Sequence, residues 1–341
     1  MKYIHRFAVF CFSLLMFSEA NAATQLLSKY NGVTLEASRT PFDTQLLKPI
    51  KNLNANYVAI VPYAFINKKD AKVNYNYSRQ WWGEKPKGIA QTIANAKTQD
   101  LEVMLKPHVW VKEDGWPGEF EPNSDEQWSV FSDSYTKYIL ELAALAEQHK
   151  VALFCIGTEF RLVASNNPDF WISLISKVRK VYSGKITYAS NWDNYDKVKF
   201  WSYLDVMGID AYFPLSDKIK PSVEELESAW LPVVNKLQAH STQWQKPILF
   251  TEFGYRNIQK AAGKHWEFKD SDPVSMSEQA NGYTALFNSL WSQDWFLGGF
   301  LWKWHLKPNS GGPTDNKFTP QGKEAENVIR KHYALYKPKD K

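Results

Sequence analysis

The stretch Val151-Ala-Leu-Phe-Cys-Ile-Gly-Thr-Glu159-Phe160 is a run of mostly apolar residues that leads into a carboxylate. A short run that is apolar on both faces is typical of a buried parallel strand. The stretch Pro247-Ile-Leu-Phe-Thr-Glu252-Phe-Gly-Tyr255 repeats this construction, again with Thr before the glutamate and Phe after it. The two stretches therefore predict two buried parallel strands, each with a glutamate at its carboxyl end.

Strand and helix segments alternate eight times along the chain, which is the pattern of a (β/α)8 TIM barrel. The eight predicted strands cover residues 32–37, 57–62, 102–110, 151–159, 185–192, 204–213, 247–252 and 298–304. The predicted helices lie near residues 44–53, 88–97, 128–149, 168–182, 198–203, 222–243, 277–292 and 321–336. No linker or low-complexity segment interrupts the alternation, so we expect an α/β fold with one catalytic domain over residues 23–341.

The first 22 residues have the pattern of a secretory signal peptide. A basic start with Lys2 and Arg6 precedes an apolar run over residues 7–17 and the small-residue exit Ala20-Asn-Ala22. This apolar run is too short to cross a membrane. We expect cleavage near Ala22 and export of the remaining 319 residues (341 − 22) to the periplasm or the medium. Cys155 is the one cysteine beyond residue 22, so an intramolecular disulfide is not expected.

The composition favours a carbohydrate ligand. The formal net charge of +5 is spread along the chain, without the basic and aromatic clusters of nucleic-acid-binding proteins. The chain has 15 Trp and 17 Tyr, and such rings stack on the apolar faces of sugars, although an aromatic-rich core is the alternative explanation. No local His or carboxylate spacing predicts a metal site, and no glycine-rich loop predicts phosphate binding. We expect no cofactor.

The predicted barrel brings the two strand-end glutamates together. All strands of a parallel α/β barrel open onto one face, so Glu159 and Glu252 are expected in one pocket although 93 positions separate them (252 − 159). Retaining glycosidases need such a pair, about 5–5.5 Å apart, because one carboxyl protonates the leaving oxygen while the other attacks the anomeric carbon. The alternative is that each glutamate has a structural role at its strand end.

Several motifs, in this order and spacing, resemble glycoside hydrolase family 113 over essentially the whole chain after residue 22. They are Leu105-Lys-Pro-His108, Gly157-Thr-Glu159-Phe, Thr251-Glu252-Phe-Gly-Tyr, Trp302-Lys-Trp304 and Phe318-Thr-Pro-Gln-Gly-Lys-Glu-Ala325. The resemblance implies a retaining β-1,4-mannan-degrading barrel, with Glu159 as general acid/base and Glu252 as nucleophile. The chain departs from the wider clan at Thr158, where many members have an Asn that binds the sugar 2-hydroxyl.

Four side chains are candidates to support or replace the two glutamates. Tyr212, at the end of the sixth predicted strand, is expected to donate its hydroxyl to Glu252 and favour the ionised form. Arg79 is a candidate for the same role from the long loop after the second strand. His108 is a candidate to hold a sugar hydroxyl or brace a carboxylate. Glu36, on the first strand, is the rival of Glu159 for the role of the acid.

The remaining candidates are sugar ligands. Asn191 is a candidate for the 2-hydroxyl contact that Thr158 cannot make, and Asp210 is a candidate ligand from the sixth strand. Trp302 and Trp304 alternate on one predicted strand, so both are expected on one face, where at least one stacks on the sugar. Trp82 and Trp110, with Trp81 and Trp116, lie on rim loops that can form further subsites.

Two other interpretations are compatible with the sequence. One is a retaining β-glycosidase that acts on another β-glycan, such as a glucan, or that removes single mannose units from chain ends. The other is a non-catalytic carbohydrate-binding barrel, which would keep the tryptophans but would not need the two glutamates. In each case we expect a monomer whose partner is a β-linked oligo- or polysaccharide, with no nucleic-acid partner and no membrane insertion.

Overall fold

Eight parallel strands close into a barrel in the computed structural model, which describes residues 29–113 and 115–337. The predicted signal peptide, residues 1–22, lies outside the described residues. Within the described ranges, no helix is long and apolar enough to cross a membrane. The closed parallel barrel with surrounding helices confirms the predicted fold class.

The barrel is built from eight of the eleven described strands. In chain order the strands are β1 (Tyr30–Leu35), β2 (Tyr57–Ile60), β3 (Tyr63–Ile66), β4 (Val73–Asn74), β5 (Glu102–Leu105), β6 (His108–Val111), β7 (Leu153–Thr158), β8 (Lys185–Asn191), β9 (Val206–Asp210), β10 (Ile248–Phe253) and β11 (Phe296–Trp304). Around the barrel the order is β1-β2-β5-β7-β8-β9-β10-β11, and β11 closes against β1. Glu159 directly follows the fourth barrel strand, β7, and Glu252 lies near the end of the seventh, β10.

The helices cover the outside of the barrel. They are α1 (Lys48–Asn52), α2 (Pro86–Lys97), α3 (Asp125–Gln148), α4 (Arg161–Asn166), α5 (Pro168–Arg179), α6 (Val223–Trp244), α7 (Met276–Leu290) and α8 (Glu324–Leu335). The helix predicted over residues 198–203 is wrong, because only short 3-10 turns follow β8, at Tyr195–Lys197 and Trp201–Tyr203. The segment contains Asp193, Asn194 and Asp196, and Asp and Asn are residue types that favour turns over helix.

A small sheet of β4, β3 and β6 continues the barrel on one side of its carboxyl-terminal face. The third predicted strand, residues 102–110, is divided into β5 and β6 by Lys106 and Pro107, and Pro62 lies in the corresponding gap between β2 and β3. Proline lacks the N–H that a continuous ladder needs, so strands end at such positions. As a result, Lys106 lies at the end of the barrel proper, and His108 begins the extension above it.

The lower half of the barrel interior is filled by apolar side chains. Residues from six different barrel strands form one buried cluster: Ala59, Met104, Leu153, Val206, Leu249 and Phe300. The packing is so close that a Cβ atom on Gly32 would lie 2.3 Å from Cδ1 of Phe300. Glycine has no Cβ atom and so avoids this clash. Because this layer fills the barrel, ligand space remains at the carboxyl ends of the strands.

Candidate active site

A cavity of about 820 Å³ opens at the carboxyl ends of the barrel strands. Its walls include eight of the residues that the sequence predicted for the site: His108, Trp110, Trp116, Glu159, Asn191, Tyr212, Glu252 and Trp302. The volume lies in the range of about 300–1,000 Å³ that is common for ligand sites. The structure therefore brings both glutamates and most of the predicted sugar ligands to one place.

Glu252 is held as an anion at the floor of the cavity. Its side chain is almost fully buried, and Oε1 contacts Nζ of Lys106 and lies 3.2 Å from Nε2 of His108. The Tyr212 hydroxyl donates a hydrogen bond of 2.8 Å to Oε2. Burial by itself would raise the pKa of Glu252, but the Lys106 ammonium and then His108 hold the pKa below its usual value. An ionised, positioned carboxylate is what a nucleophile requires.

Glu159 has the opposite electrostatic environment. Burial, followed by the negative charges of Asp210 and Glu252, raises the pKa of Glu159 well above its usual value. The indole N–H of Trp116 donates a hydrogen bond of 2.7 Å to Oε2. The backbone of Glu159 has a φ of +54°, a left-handed conformation that is uncommon outside glycine and clusters at functional sites. Glu159 therefore has the protonated state of a general acid, and the pKa values of the two glutamates are pushed in opposite directions.

Asp210 is not a sugar ligand in this structure, which corrects the prediction. Its side chain is fully buried below the cavity, where both carboxylate oxygens lie 3.1 Å from Nζ of Lys106. The Thr251 hydroxyl donates a further hydrogen bond of 2.7 Å to Oδ1. Sequence reasoning missed Lys106 as a site residue; the available signal was a lysine within an apolar strand, two positions before His108.

Trp302 and Trp304 do not share a face, so this prediction is also wrong. Trp302 lines the cavity, with its ring parallel to the His108 imidazole at a centroid distance of 5.9 Å. Trp304 is 3% exposed and belongs to the hydrophobic core. Between Leu301, which pairs with Val33, and Trp304, which pairs with Leu35, β11 contains one residue more than β1. Such a bulge reverses the alternation of side chains.

Arg79 and Trp82 also lie away from the cavity. Arg79 is exposed on the loop after β4. Trp82 is half-buried, and its ring is perpendicular to that of Phe42, with the ring centroids 6.3 Å apart. Neither side chain is part of the cavity wall. The predictions that Arg79 supports Glu252 and that Trp82 forms a subsite are therefore wrong for this cavity. The loop has no hydrophobic periodicity, so the sequence could not show which of its side chains would face inward.

Glu36 lies beside the cavity, in a smaller pocket of about 160 Å³ that shares Tyr63 and Trp302 with it. Nδ1 of His305 lies 2.8 Å from one carboxylate oxygen of Glu36, and Nζ of Lys303 lies 3.5 Å from the other. The hydrogen bond with His305 is the main reason why the pKa of Glu36 falls to about 2. A carboxylate held ionised in this way is poorly suited to donate a proton, which argues against Glu36 as the acid.

The side of the cavity near Glu159 is rich in aromatic and polar groups. Trp192 and Trp266 are parallel, with centroids 5.8 Å apart, and the Arg161 guanidinium lies 5.6 Å from the centre of the Trp116 ring. Asn191 lines the same cavity and donates a hydrogen bond of 2.8 Å from Nδ2 to Asp193. These groups suit a sugar chain, whose rings offer apolar faces and whose edges carry hydroxyls. Across residues 29–113 and 115–337, no group of three or more His, Cys, Asp and Glu side chains is arranged to hold a metal ion.

Comparisons with known proteins show what this chain is similar to. A sequence model described as Glycoside Hydrolase Family 113 matches residues 36–323. A GH113 β-mannanase from Alicyclobacillus acidocaldarius, solved in complex with ManMIm, superposes with a TM-score of 0.80 at 23% identity, covering 91% of this chain and 98% of the other. A second structure, described as a complex of a GH113 β-1,4-mannanase, superposes with a TM-score of 0.77 at 23% identity, covering 90% of this chain and 99% of the other.

More distant structures share the barrel. A β-glucuronidase from Faecalibacterium prausnitzii superposes with a TM-score of 0.62 at 15% identity, covering 90% of this chain and 49% of that protein. At such identities, superposition shows a common fold. A search of curated protein sequences gave no significant match.

Proposed function

Because this chain belongs to Glycoside Hydrolase Family 113 and is a glycoside hydrolase, we propose that it cleaves β-1,4-mannosidic bonds in mannan or mannooligosaccharides with retention of configuration. The observation that carries the mechanism is that two glutamates share one cavity in opposite surroundings. Lys106 and Tyr212 contact Glu252 and favour its anion, whereas burial and the negative charges of Asp210 and Glu252 favour the protonated form of Glu159. The choice of sugar and linkage is supported by the two β-mannanases that this fold resembles.

The proposed reaction proceeds in two displacements. In the first, an Oε atom of Glu252 attacks the anomeric carbon while Glu159 transfers its proton to the glycosidic oxygen, so the C–O bond breaks and the leaving sugar departs. The product is a glycosyl ester of Glu252. In the second, the Glu159 carboxylate takes a proton from water as the water oxygen attacks the anomeric carbon and releases Glu252. Two inversions give net retention.

Three cavity residues have proposed supporting roles in this reaction. Tyr212 donates to Oε2 of Glu252 and so helps to keep the nucleophile ionised and oriented. Trp302 presents an aromatic face for stacking on the sugar held between the two glutamates. Asn191 is the proposed contact for the sugar 2-hydroxyl, because Thr158 is buried and donates its hydroxyl to the Pro107 carbonyl at 3.1 Å.

The proposal includes export of the enzyme. The basic, apolar and small-residue segments of residues 1–22 support cleavage near Ala22. Intact mass of the protein recovered from culture fractions tests this: loss of the first 22 residues with the protein in the periplasm or the medium is expected, and an uncleaved protein inside the cell would contradict it. We also propose that the enzyme acts as a monomer, which light scattering in solution tests.

Incubation of the purified enzyme with β-1,4-mannohexaose and, in parallel, cellohexaose tests the substrate. We expect shorter mannooligosaccharides from the first and no products from the second. The matched control is Glu252→Gln, which keeps the shape of the side chain and should give no products. Cleavage of cellohexaose alone would overturn the choice of sugar, whereas the proposed two-glutamate mechanism would still stand. Binding of mannohexaose without cleavage by the unaltered protein would support the non-catalytic barrel instead.

A further inference from the structure

Two oppositely charged side chains lie below the cavity, where sugar cannot reach them. Lys106 and Asp210 are both fully buried, and neither forms part of the cavity wall. Lys106 follows β5 and Asp210 ends β9, so their contact crosses the inside of the barrel. The Lys106 ammonium also contacts Oε1 of Glu252, on β10. One cation therefore bridges the proposed nucleophile and a second carboxylate that the proposed reaction does not use.

The hydrogen bonds around Asp210 fit its ionised form. Oδ1 accepts from the Thr251 hydroxyl at 2.7 Å, and both oxygens lie 3.1 Å from Nζ of Lys106. Donors on both carboxylate oxygens stabilise the charge. Burial and the charge of Glu252 act in the other direction and raise the pKa of Asp210. The Lys106 ammonium is thus the group that allows Asp210 and Glu252 to be ionised together.

Other titratable side chains also surround Lys106, Asp210 and Glu252. They are Tyr63, His108, Cys155, Glu159, Tyr188 and Tyr212. Burial lowers the pKa of His108 to about 4 and raises that of the Cys155 thiol to about 11, and burial also raises the pKa of each tyrosine. Lys303 faces His108 from β11. At neutral pH the cation next to Glu252 is therefore Lys106, and Asp210, whose pKa burial and then the charge of Glu252 raise to about 7, loses its proton in this pH range.

The charge balance changes during the proposed reaction. In the free enzyme Lys106 faces two carboxylates, but in the glycosyl-enzyme Glu252 is a neutral ester. Without Asp210, the buried ammonium would then have no anionic partner, which is a costly state in a protein interior. The negative charge of Asp210 also raises the pKa of Glu159, second only to the effect of burial. Asp210 thus acts on Glu159 and remains the partner of Lys106 when Glu252 is esterified, without touching the sugar.

We propose that Lys106 and Asp210 are positioning residues that set the protonation of both catalytic glutamates. In this proposal Lys106 keeps Glu252 ionised, whereas Asp210 keeps Glu159 protonated and is the counter-ion of Lys106 while Glu252 is esterified. The inference rests on the proposed retaining mechanism. Its test is a titration that needs no substrate, so that a wrong choice of sugar does not affect the result.

The titration follows the side-chain carboxyl carbons of 13C-labelled glutamate by NMR, with Glu159→Gln and Glu252→Gln used to assign the two signals. Asp210→Asn removes one negative charge without changing the shape, so the pKa of Glu159 should fall, by about one unit or more. The pKa of Glu252 should change little, because Glu252 titrates at lower pH than Asp210. Lys106→Met removes the cation, so the pKa of Glu252 should rise by about 1–3 units. A fall of the Glu159 pKa in one variant and a rise of the Glu252 pKa in the other are not expected from general loss of packing.

Asp217→Asn is the matched control, because it removes the same charge from an exposed position on the connection that follows β9. It should leave both glutamate titrations unchanged. If Asp210→Asn titrates like this control, the proposal is overturned. Should Lys106→Met not fold, Lys106→Met/Asp210→Asn leaves no unpaired cation or aspartate, and the pKa of Glu252 should still rise. An unshifted Glu252 in that double variant would likewise overturn the role of Lys106.

Activity gives a second readout on any substrate that the unaltered enzyme turns over. In Asp210→Asn the alkaline limb of the pH profile of kcat/KM should move to lower pH, because Glu159 titrates lower, and the acidic limb should stay in place. In Lys106→Met the acidic limb should move to higher pH. A uniform loss of activity at every pH, with both limbs in place, would indicate a merely structural role and contradict the proposal.

Discussion

The indole N–H of Trp116 donates a hydrogen bond of 2.7 Å to Oε2 of Glu159. This contact fixes the orientation of the carboxyl group and occupies one of its oxygens with a donor. We therefore expect Oε1 to carry the transferable proton of the acid form. In this way a loop residue selects the oxygen of Glu159 that faces the leaving group in the proposed reaction.

Trp116→Phe removes this donor and keeps most of the ring. The hydrogen bond favours the ionised carboxylate and lowers the pKa of Glu159, so its loss should raise that pKa further. The alkaline limb of the pH profile should move to higher pH. We also expect kcat to fall about 10- to 100-fold, since a hydrogen bond to a charged group contributes about 1.5–3 kcal/mol. An unchanged alkaline limb would contradict this role of Trp116.

The two catalytic roles predict different responses to the leaving group. Glu159→Gln should lose about 10²- to 10⁴-fold in rate on mannooligosaccharides, whose leaving hydroxyl needs a proton. With a 2,4-dinitrophenyl glycoside, which leaves without protonation, formation of the glycosyl-enzyme should remain fast and a burst of phenolate should appear. Glu252→Gln should be inactive on both substrates. If Glu252→Gln gave the burst, the two assignments would have to be exchanged.

Tyr212→Phe tests whether the Tyr212 hydroxyl helps to keep Glu252, the proposed nucleophile, ionised. The Tyr212 hydroxyl donates to Oε2 of Glu252, so its removal should raise the pKa of Glu252 and move the acidic limb of the pH profile to higher pH. A fall in kcat/KM of about 10- to 100-fold is expected from the loss of a hydrogen bond to a charged group. Steady-state kinetics between acidic and neutral pH measure both effects, and a variant with an unshifted acidic limb would argue that Tyr212 only packs at the rim.

The two tryptophans of β11 should respond differently to truncation. Trp302→Ala removes a cavity wall, so KM should rise while thermal unfolding changes little. Trp304→Ala empties a buried site and should destabilise the fold by about 3–5 kcal/mol. Denaturant unfolding and KM measured on both variants give the comparison. Equal losses of stability would contradict the assignment of Trp302 to the cavity and Trp304 to the core.

Glu36→Gln separates the rival acid from the proposed one. Glu36 is already held ionised by His305 and Lys303, so the variant should keep the alkaline limb of the pH profile, with at most a modest change in KM. Loss of the alkaline limb in Glu36→Gln, with the limb retained in Glu159→Gln, would transfer the role of the acid to Glu36.

The strand-end positions of Glu159 and Glu252 were predictable because uninterrupted apolar runs show where buried strands end. The pairing of Lys106 with Asp210 was not, because 104 positions separate the two residues and only barrel closure brings them together. The sixth strand was predicted over residues 204–213, but β9 ends at Asp210, so Tyr212 lies beyond the strand.

The sequence also could not predict where a strand departs from regular pairing. The bulge in β11 moves Trp304 into the core, and it depends on pairing with β1, at the other end of the chain. Likewise, nothing in the polar loop around Arg79 distinguishes side chains that face the cavity from those that face solvent. Sequence patterns thus predicted the barrel and the two glutamates at its strand ends. The contacts that support these glutamates depend on tertiary packing.

The configuration of the first-formed product tests the two-glutamate mechanism most directly. The enzyme is mixed with a β-1,4-mannooligosaccharide in an NMR tube, and the anomeric proton signals of the new reducing end are followed from the first minutes. Attack by Glu252 followed by attack of water predicts that the β anomer forms first and that the α anomer appears later by mutarotation. An α anomer formed first would show a single inversion and contradict the role of Glu252 as nucleophile.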